Sequence, residues 1–133
     1  MQKQQKTIGE QLCEFYEKTF FEQSNYNKDA FIERHISRFG IPKGSSRKKE
    51  IEWYSKRFDL LMNKYINDYF SDFAFNDNCD IDIDKANEML ENIEKMLPFK
   101  SEDEHQRWLD IVACGTGEQI EYLTKKIANK EEI

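Results

Sequence analysis

The segment RKKEIEWYSKRFDLLMNKYINDYFSDF, residues 47–73, decides the fold. Its rings and aliphatic side chains recur at intervals of three and four, the spacing that gathers side chains on one face of a helix. Tyr54, Phe58, Leu61, Tyr65, Tyr69 and Phe73 form a main stripe. Ile51, Met62, Ile66 and Phe70 form a second line beside it, and Trp53 and Leu60 widen the apolar girth further. A helix apolar around so much of its circumference packs against neighbours on several sides, or pairs with a second copy of the chain. At ~1.5 Å per residue it is a rod roughly 40 Å long. The spacing therefore predicts one long central helix, which is also where a homo-oligomer would form.

Upstream, Ile8, Leu12, Phe15, Tyr16 and Phe20 predict a first helix over 8–22. Phe31, Ile32, His35, Ile36 and Phe39 predict a second over 28–38, capped by Asn27 and stopped by Gly40 and Pro42. The loop Pro42-Lys43-Gly44-Ser45-Ser46 follows, with Ser45 or Ser46 as cap of the long helix. Downstream, Asn76 to Asp80 break the chain. Ala86, Met89, Leu90, Ile93, Met96 and Leu97 then predict a fourth helix over 83–97, halted by Pro98. Ser101 and Glu104 have the spacing of a capping box at the start of a fifth helix carrying Trp108, Leu109, Ile111 and Val112. Gly115 closes it, and Thr116 with Gln119 opens a last helix with Ile120, Leu123 and Ile127. The fold class is all-α: a single irregular bundle of five to six helices in one domain, residues 1–133, with residues 1–6 and 129–133 expected to fray.

Composition agrees. Only five Gly and two Pro punctuate 133 residues, too few for a many-turned β fold. Hydrophobic residues are 38% of the chain, but the aromatic share of 14% supplies a core built on rings. No run of ~20 apolar residues is present to span a bilayer, and the polar start Met1-Gln2-Lys3-Gln4-Gln5-Lys6 has no apolar signal-peptide core. The expectation is a cytoplasmic protein that does not engage membranes. Cys13, Cys79 and Cys114 are odd in number and widely spaced, which points to free thiols and to neither a disulfide framework nor a zinc site.

Charge is polarised along the chain. Residues 1–66 hold 13 Lys/Arg against 9 Asp/Glu, and residues 67–133 hold 7 against 17, so +4 faces −10. Two segments concentrate it. Asp80, Asp82, Asp84, Glu88 and Glu91 fall at positions 1, 3, 5, 9 and 12 of an EF-hand-like calcium loop. Lys85 stands where that loop needs its turn glycine, and helical periodicity begins inside it. As helix residues, Asp84, Glu88 and Glu91 share one face by i, i+4, i+7 spacing and form an acidic surface complementary to a basic cleft. The basic segment carries Lys43, Arg47, Lys48, Lys49, Trp53 and Arg57. There a helix N-terminus, several cations and a stacking ring suit nucleic-acid contact.

Catalytic signatures are missing. The sequence has no phosphate-binding G-x-x-x-x-G-K-[ST] loop, no H-E-x-x-H and no G-x-S-x-G. Gly115-Thr116-Gly117 follows a helix rather than a strand and reads as a cap, and His35 and His105 stand alone. The expected class is thus a non-catalytic interaction protein without cofactor or bound metal. It would dock its acidic residues Asp80, Asp82, Asp84, Glu88 and Glu91 on a protein or nucleoprotein complex with a basic surface. The most concrete form is a small phage or mobile-element inhibitor or accessory factor of the anti-CRISPR type. The alternatives are a nucleic-acid-binding accessory subunit that uses the basic segment 43–57, and a degenerate EF-hand-like calcium-binding helix pair.

Overall fold

In a computed structural model, which describes residues 8–74 and 82–131, the chain is an all-α bundle, and the described residues include no strand. Six α-helices follow one another: α1 (Ile8–Gln23), α2 (Lys28–Phe39), α3 (Arg47–Tyr69), α4 (Ile83–Met96), α5 (Glu102–Cys114) and α6 (Gly117–Ala128). A π-helical turn, Phe70–Ala74, prolongs α3, so the long helix extends one residue past its predicted end. No described helix is long and apolar enough to cross a membrane. The chain divides within α3 into two compact units, one ending at Phe58 and the other beginning at Asp59.

The first unit is built on rings. Its buried side chains include Phe20 and Phe21 of α1, Phe31, Ile32, His35 and Ile36 of α2, and Tyr54 and Phe58 of α3. Phe21, Phe31 and Phe58 meet at centroid distances of 5.2 to 6.3 Å, with tilted or edge-on geometry that places ring edges on ring faces. Asn27 accepts from the Ala30 amide as N-cap of α2, as expected. Gly40, its C-cap, has φ +72° and ψ −174°, a conformation that a side chain makes costly. Ser46, and not Ser45, caps α3 by accepting from the Lys49 amide, while the Ser45 hydroxyl donates to Glu50.

The buried face of α1 departs from the sequence reading. Among the described side chains it comprises Glu17, Phe20 and Phe21, with Ser24 buried just past the helix end, whereas Phe15, expected inside, is exposed. The reason is an ion pair. Glu17 accepts from Arg57 Nε at 2.8 Å and from Nη2 at 2.7 Å, so a carboxylate occupies a position that an apolar pattern cannot mark.

In the second unit α3 buries Met62, Ile66 and, through the π turn, Phe70, and the later helices and the residue after α4 bury Ile93, Met96, Leu97, Trp108, Leu123 and Ile127. The line expected to be secondary is thus the more deeply buried one, and Leu61, Tyr65, Tyr69 and Phe73 are only half-buried. Two polar contacts fix this core. Trp108 Nε1 donates to Thr124 Oγ1 at 2.9 Å, and Asn92 Nδ2 donates to the Tyr65 hydroxyl at 3.0 Å. Thr116 and Gln119 form the full reciprocal capping box of α6. At α5 the Ser101 hydroxyl accepts from the Glu104 amide, but the Glu104 carboxylate reaches one residue further and takes the Lys100 amide. The chain turns back at the end of α6: Glu131 N–H donates to the Lys126 carbonyl and its carboxylate pairs with Lys126.

Candidate interaction surface

The acidic residues occupy the outer face of α4. Asp82 is the N-cap and accepts from the Lys85 amide at 3.0 Å. Asp84, Glu88 and Glu91 follow along the helix, all exposed, and none of the three makes an ion pair among the described residues. The same helix buries Asn92, Ile93 and Met96, so the carboxylates are presented from an anchored helix. Ile83 beside them is 69% exposed, an apolar side chain flanked by the carboxylates of Asp82 and Asp84. Asp80, the remaining member of the set, lies outside the described residues.

This arrangement bears on the calcium reading. Asp84 to Glu91 span about 10 Å of helix axis at 1.5 Å per residue, whereas ligands to one calcium ion converge within ~2.6 Å of it. No group of three His, Cys, Asp or Glu placed to hold a metal ion occurs among the described residues.

The basic residues are divided. Lys43, Lys48 and Lys49 are exposed, and Trp53 is 51% exposed. Arg47 is paired with Glu33, and Arg57 is committed to Glu17 while its guanidinium lies 5.7 Å from the Trp53 ring centre. Trp53, edge-on to Tyr54 at 5.0 Å, borders an open groove of 340 Å³ with Ser45, Lys49 and Glu50. On α3, Leu60 is exposed as well, within the helix marked for pairing.

The two histidines have structural partners. His35 is 2% exposed, and its Nδ1–H donates to the Phe31 carbonyl at 3.0 Å. Its Nε2 has no partner among the rings of Phe20, Phe31 and Tyr54. Burial pushes the imidazole below its ordinary range, so it is neutral near pH 7, and the Phe31 carbonyl and the Glu17 carboxylate offset only part of that effect. His105 Nε2 meets Glu94 at 2.6 Å, and Phe99 stacks on the ring at 4.4 Å, so the pair links α5 to α4. Near the C-terminus, grooves of 520 and 510 Å³ flank exposed Tyr122, and their charged residues, among them Glu118, Glu121, Lys125 and Arg107, are of mixed sign.

Sequence reasoning left two surface features unmarked. One is Ile83, hidden because an isolated aliphatic among acids contributes nothing to periodicity. The other is the contact of Arg38 with Tyr16, 22 residues apart, which only the pairing of α1 with α2 creates. No protein-family model, curated protein or solved structure matches the chain.

Proposed function

We propose that this is a non-catalytic interaction protein that docks the acidic face of α4 on a basic surface of a protein or nucleoprotein. One observation carries the reading: Asp84, Glu88 and Glu91 line up exposed and without cationic partners beside exposed Ile83, on a helix anchored by buried Asn92, Ile93 and Met96. Carboxylates held this way steer a basic partner and fix register, and an adjoining aliphatic supplies desolvated contact. A cleft that ordinarily holds nucleic acid has the matching chemistry. A small inhibitor of phage or mobile-element origin, of the anti-CRISPR type, is the narrowest form of the reading. It puts the protein in the cytoplasm, where an exposed thiol such as Cys114 stays reduced.

The test is affinity capture from the native host with the wild-type chain and with a variant carrying Asp80→Asn, Asp82→Asn, Asp84→Asn, Glu88→Gln and Glu91→Gln. Asn at position 82 preserves the cap. The reading expects a basic partner that the wild type enriches and the variant loses, at equal helical circular dichroism. Identical capture by both chains removes it.

A second reading rests on Trp53, exposed beside Lys49 in the groove at the start of α3. A base stacked on that ring, with phosphates near Lys43, Lys48 and Lys49, makes this a nucleic-acid-binding accessory subunit. It predicts a salt-dependent gel shift that Trp53→Ala weakens, and the lack of any shift at low salt with RNA or DNA disposes of it.

A further inference from the structure

The first unit carries an exposed aromatic surface with a cation fixed on it. Phe15 is 62% exposed and Phe39 46%, and both touch Tyr16 edge-on, at 5.6 and 5.4 Å between centroids. The three rings therefore form one continuous patch built by α1 and α2, and exposed Ile41 follows two residues beyond Phe39. Arg38 Nη2 donates to the Tyr16 hydroxyl at 3.2 Å, and its guanidinium carbon lies 5.3 Å from the centre of that ring. The patch is backed by buried side chains, since Tyr16 packs on Phe20, and Phe39 lies 6.1 Å from His35. Arg38 makes no ion pair among the described residues.

Rings joined to an arginine have the composition of an interface hot spot. A guanidinium positioned by a ring, with donors to spare, suits a planar carboxylate. A single cation provides no track for a run of phosphates, so the patch fits a protein segment better than a nucleic acid. The required segment has an apolar side chain flanked by carboxylates, and the chain itself displays one in Asp82, Ile83 and Asp84 at the start of α4. The charges of the two stretches match too: residues 1–58 hold 12 Lys/Arg against 8 Asp/Glu, and residues 59–133 hold 8 against 18.

We infer that the Phe15–Tyr16–Phe39 patch with Arg38 is a docking site for the first turn of α4 of a second copy of this chain. Ile83 covers the rings, and Asp84 pairs with Arg38. Self-association is separable from the docking function proposed above. An external basic partner competes with the second copy for α4, and the chain self-associates whether or not such a partner exists.

Light scattering of the purified chain, at high protein concentration and in low and high salt, tests this. The expected mass in low salt is twice the 16.0 kDa of one chain or more, falling to one chain in high salt. Arg38→Glu and Asp84→Lys, each alone, yield monomers with unchanged helical circular dichroism. Mixing the two variants restores association. The patch bearing Arg38→Glu then meets the helix bearing Asp84→Lys with the charges exchanged, and the native Arg38 of one chain meets the native Asp84 of the other. A wild-type monomer in low salt overturns the proposal, as does an assembly that ignores salt or survives Arg38→Glu. Failure of the mixture to reassociate overturns it equally. Loss of the external partner in the capture experiment leaves all of these readouts unaffected.

Discussion

The Glu17 carboxylate, buried on α1, accepts two hydrogen bonds from the Arg57 guanidinium on α3, at 2.7 and 2.8 Å. Arg57 is partly solvated and Glu17 is not. Removing the arginine therefore strands a buried carboxylate, which costs more than the pair contributes. Arg57→Ala should lower stability by about 2–4 kcal/mol, the smaller part of the range reflecting solvent around the guanidinium. The double variant Glu17→Leu, Arg57→Met should recover most of the loss, because two apolar side chains leave no orphaned charge. Urea denaturation of the three chains checks this, and a double variant as unstable as Arg57→Ala would refute it.

His35 should make the first unit acid-sensitive. Its folded pKa lies below the unfolded value of 6.5, so the unfolded chain binds more protons between the two, and stability rises with pH across that window. The contribution is complete above 6.5 and is lost as pH falls toward the folded value. The charge facing the ring is Glu17, already neutralised by Arg57, which leaves protonated Nε2 without an adequate acceptor. Melting temperature should therefore drop as the solution is acidified below 6.5, and His35→Phe should flatten that slope. An unchanged slope in the variant would assign the pH dependence to other groups.

The Trp108 indole and Thr124 hydroxyl, both almost fully buried, satisfy one another at 2.9 Å. Thr124→Val keeps the volume and deletes the acceptor, leaving an indole N–H unpaired in the core. A loss of ~1–3 kcal/mol is expected, with the tryptophan emission of the folded state preserved. Thr124→Ser, which retains the oxygen, should cost less than Thr124→Val.

Gly40 is required for its backbone. Its φ and ψ are open only to glycine at low cost, and a Cβ there would meet nothing within 4 Å. Gly40→Ala should destabilise by about 1–3 kcal/mol through backbone strain alone. Gly115→Ala should also destabilise, by a different route, since its Cβ would fall 2.6 Å from the Ile111 carbonyl oxygen. A neutral Gly40→Ala in thermal unfolding would contradict the assigned backbone.

The helices were legible because their signals are local. Asn27, Asp82, Ser101 and Thr116 each cap a helix through a bond to an amide three residues on, and such spacing is visible in a bare sequence. What pattern reading missed depends on partners distant in the chain. Glu17 is inside only because Arg57, 40 residues later, meets it, and its burial rotates α1 so that Phe15 faces outward. The deeper burial of Met62, Ile66 and Phe70 reflects where α4, α5 and α6 place their own side chains, which periodicity along α3 alone does not encode. The acidic line on α4 was readable from i, i+4, i+7 spacing, whereas the Arg38–Tyr16 contact was not, since α1 and α2 must first pack.

The most direct measurement of the docking account is the dissociation constant for the captured basic partner, across ionic strength, of the wild type and of the chain with Asp80, Asp82, Asp84, Glu88 and Glu91 neutralised. At ~0.5 kcal/mol per exposed carboxylate, neutralising all five should weaken binding about 70-fold in low salt and flatten the salt dependence. Affinity and salt dependence that coincide for the two chains would contradict the claim that the outer face of α4 is the docking surface.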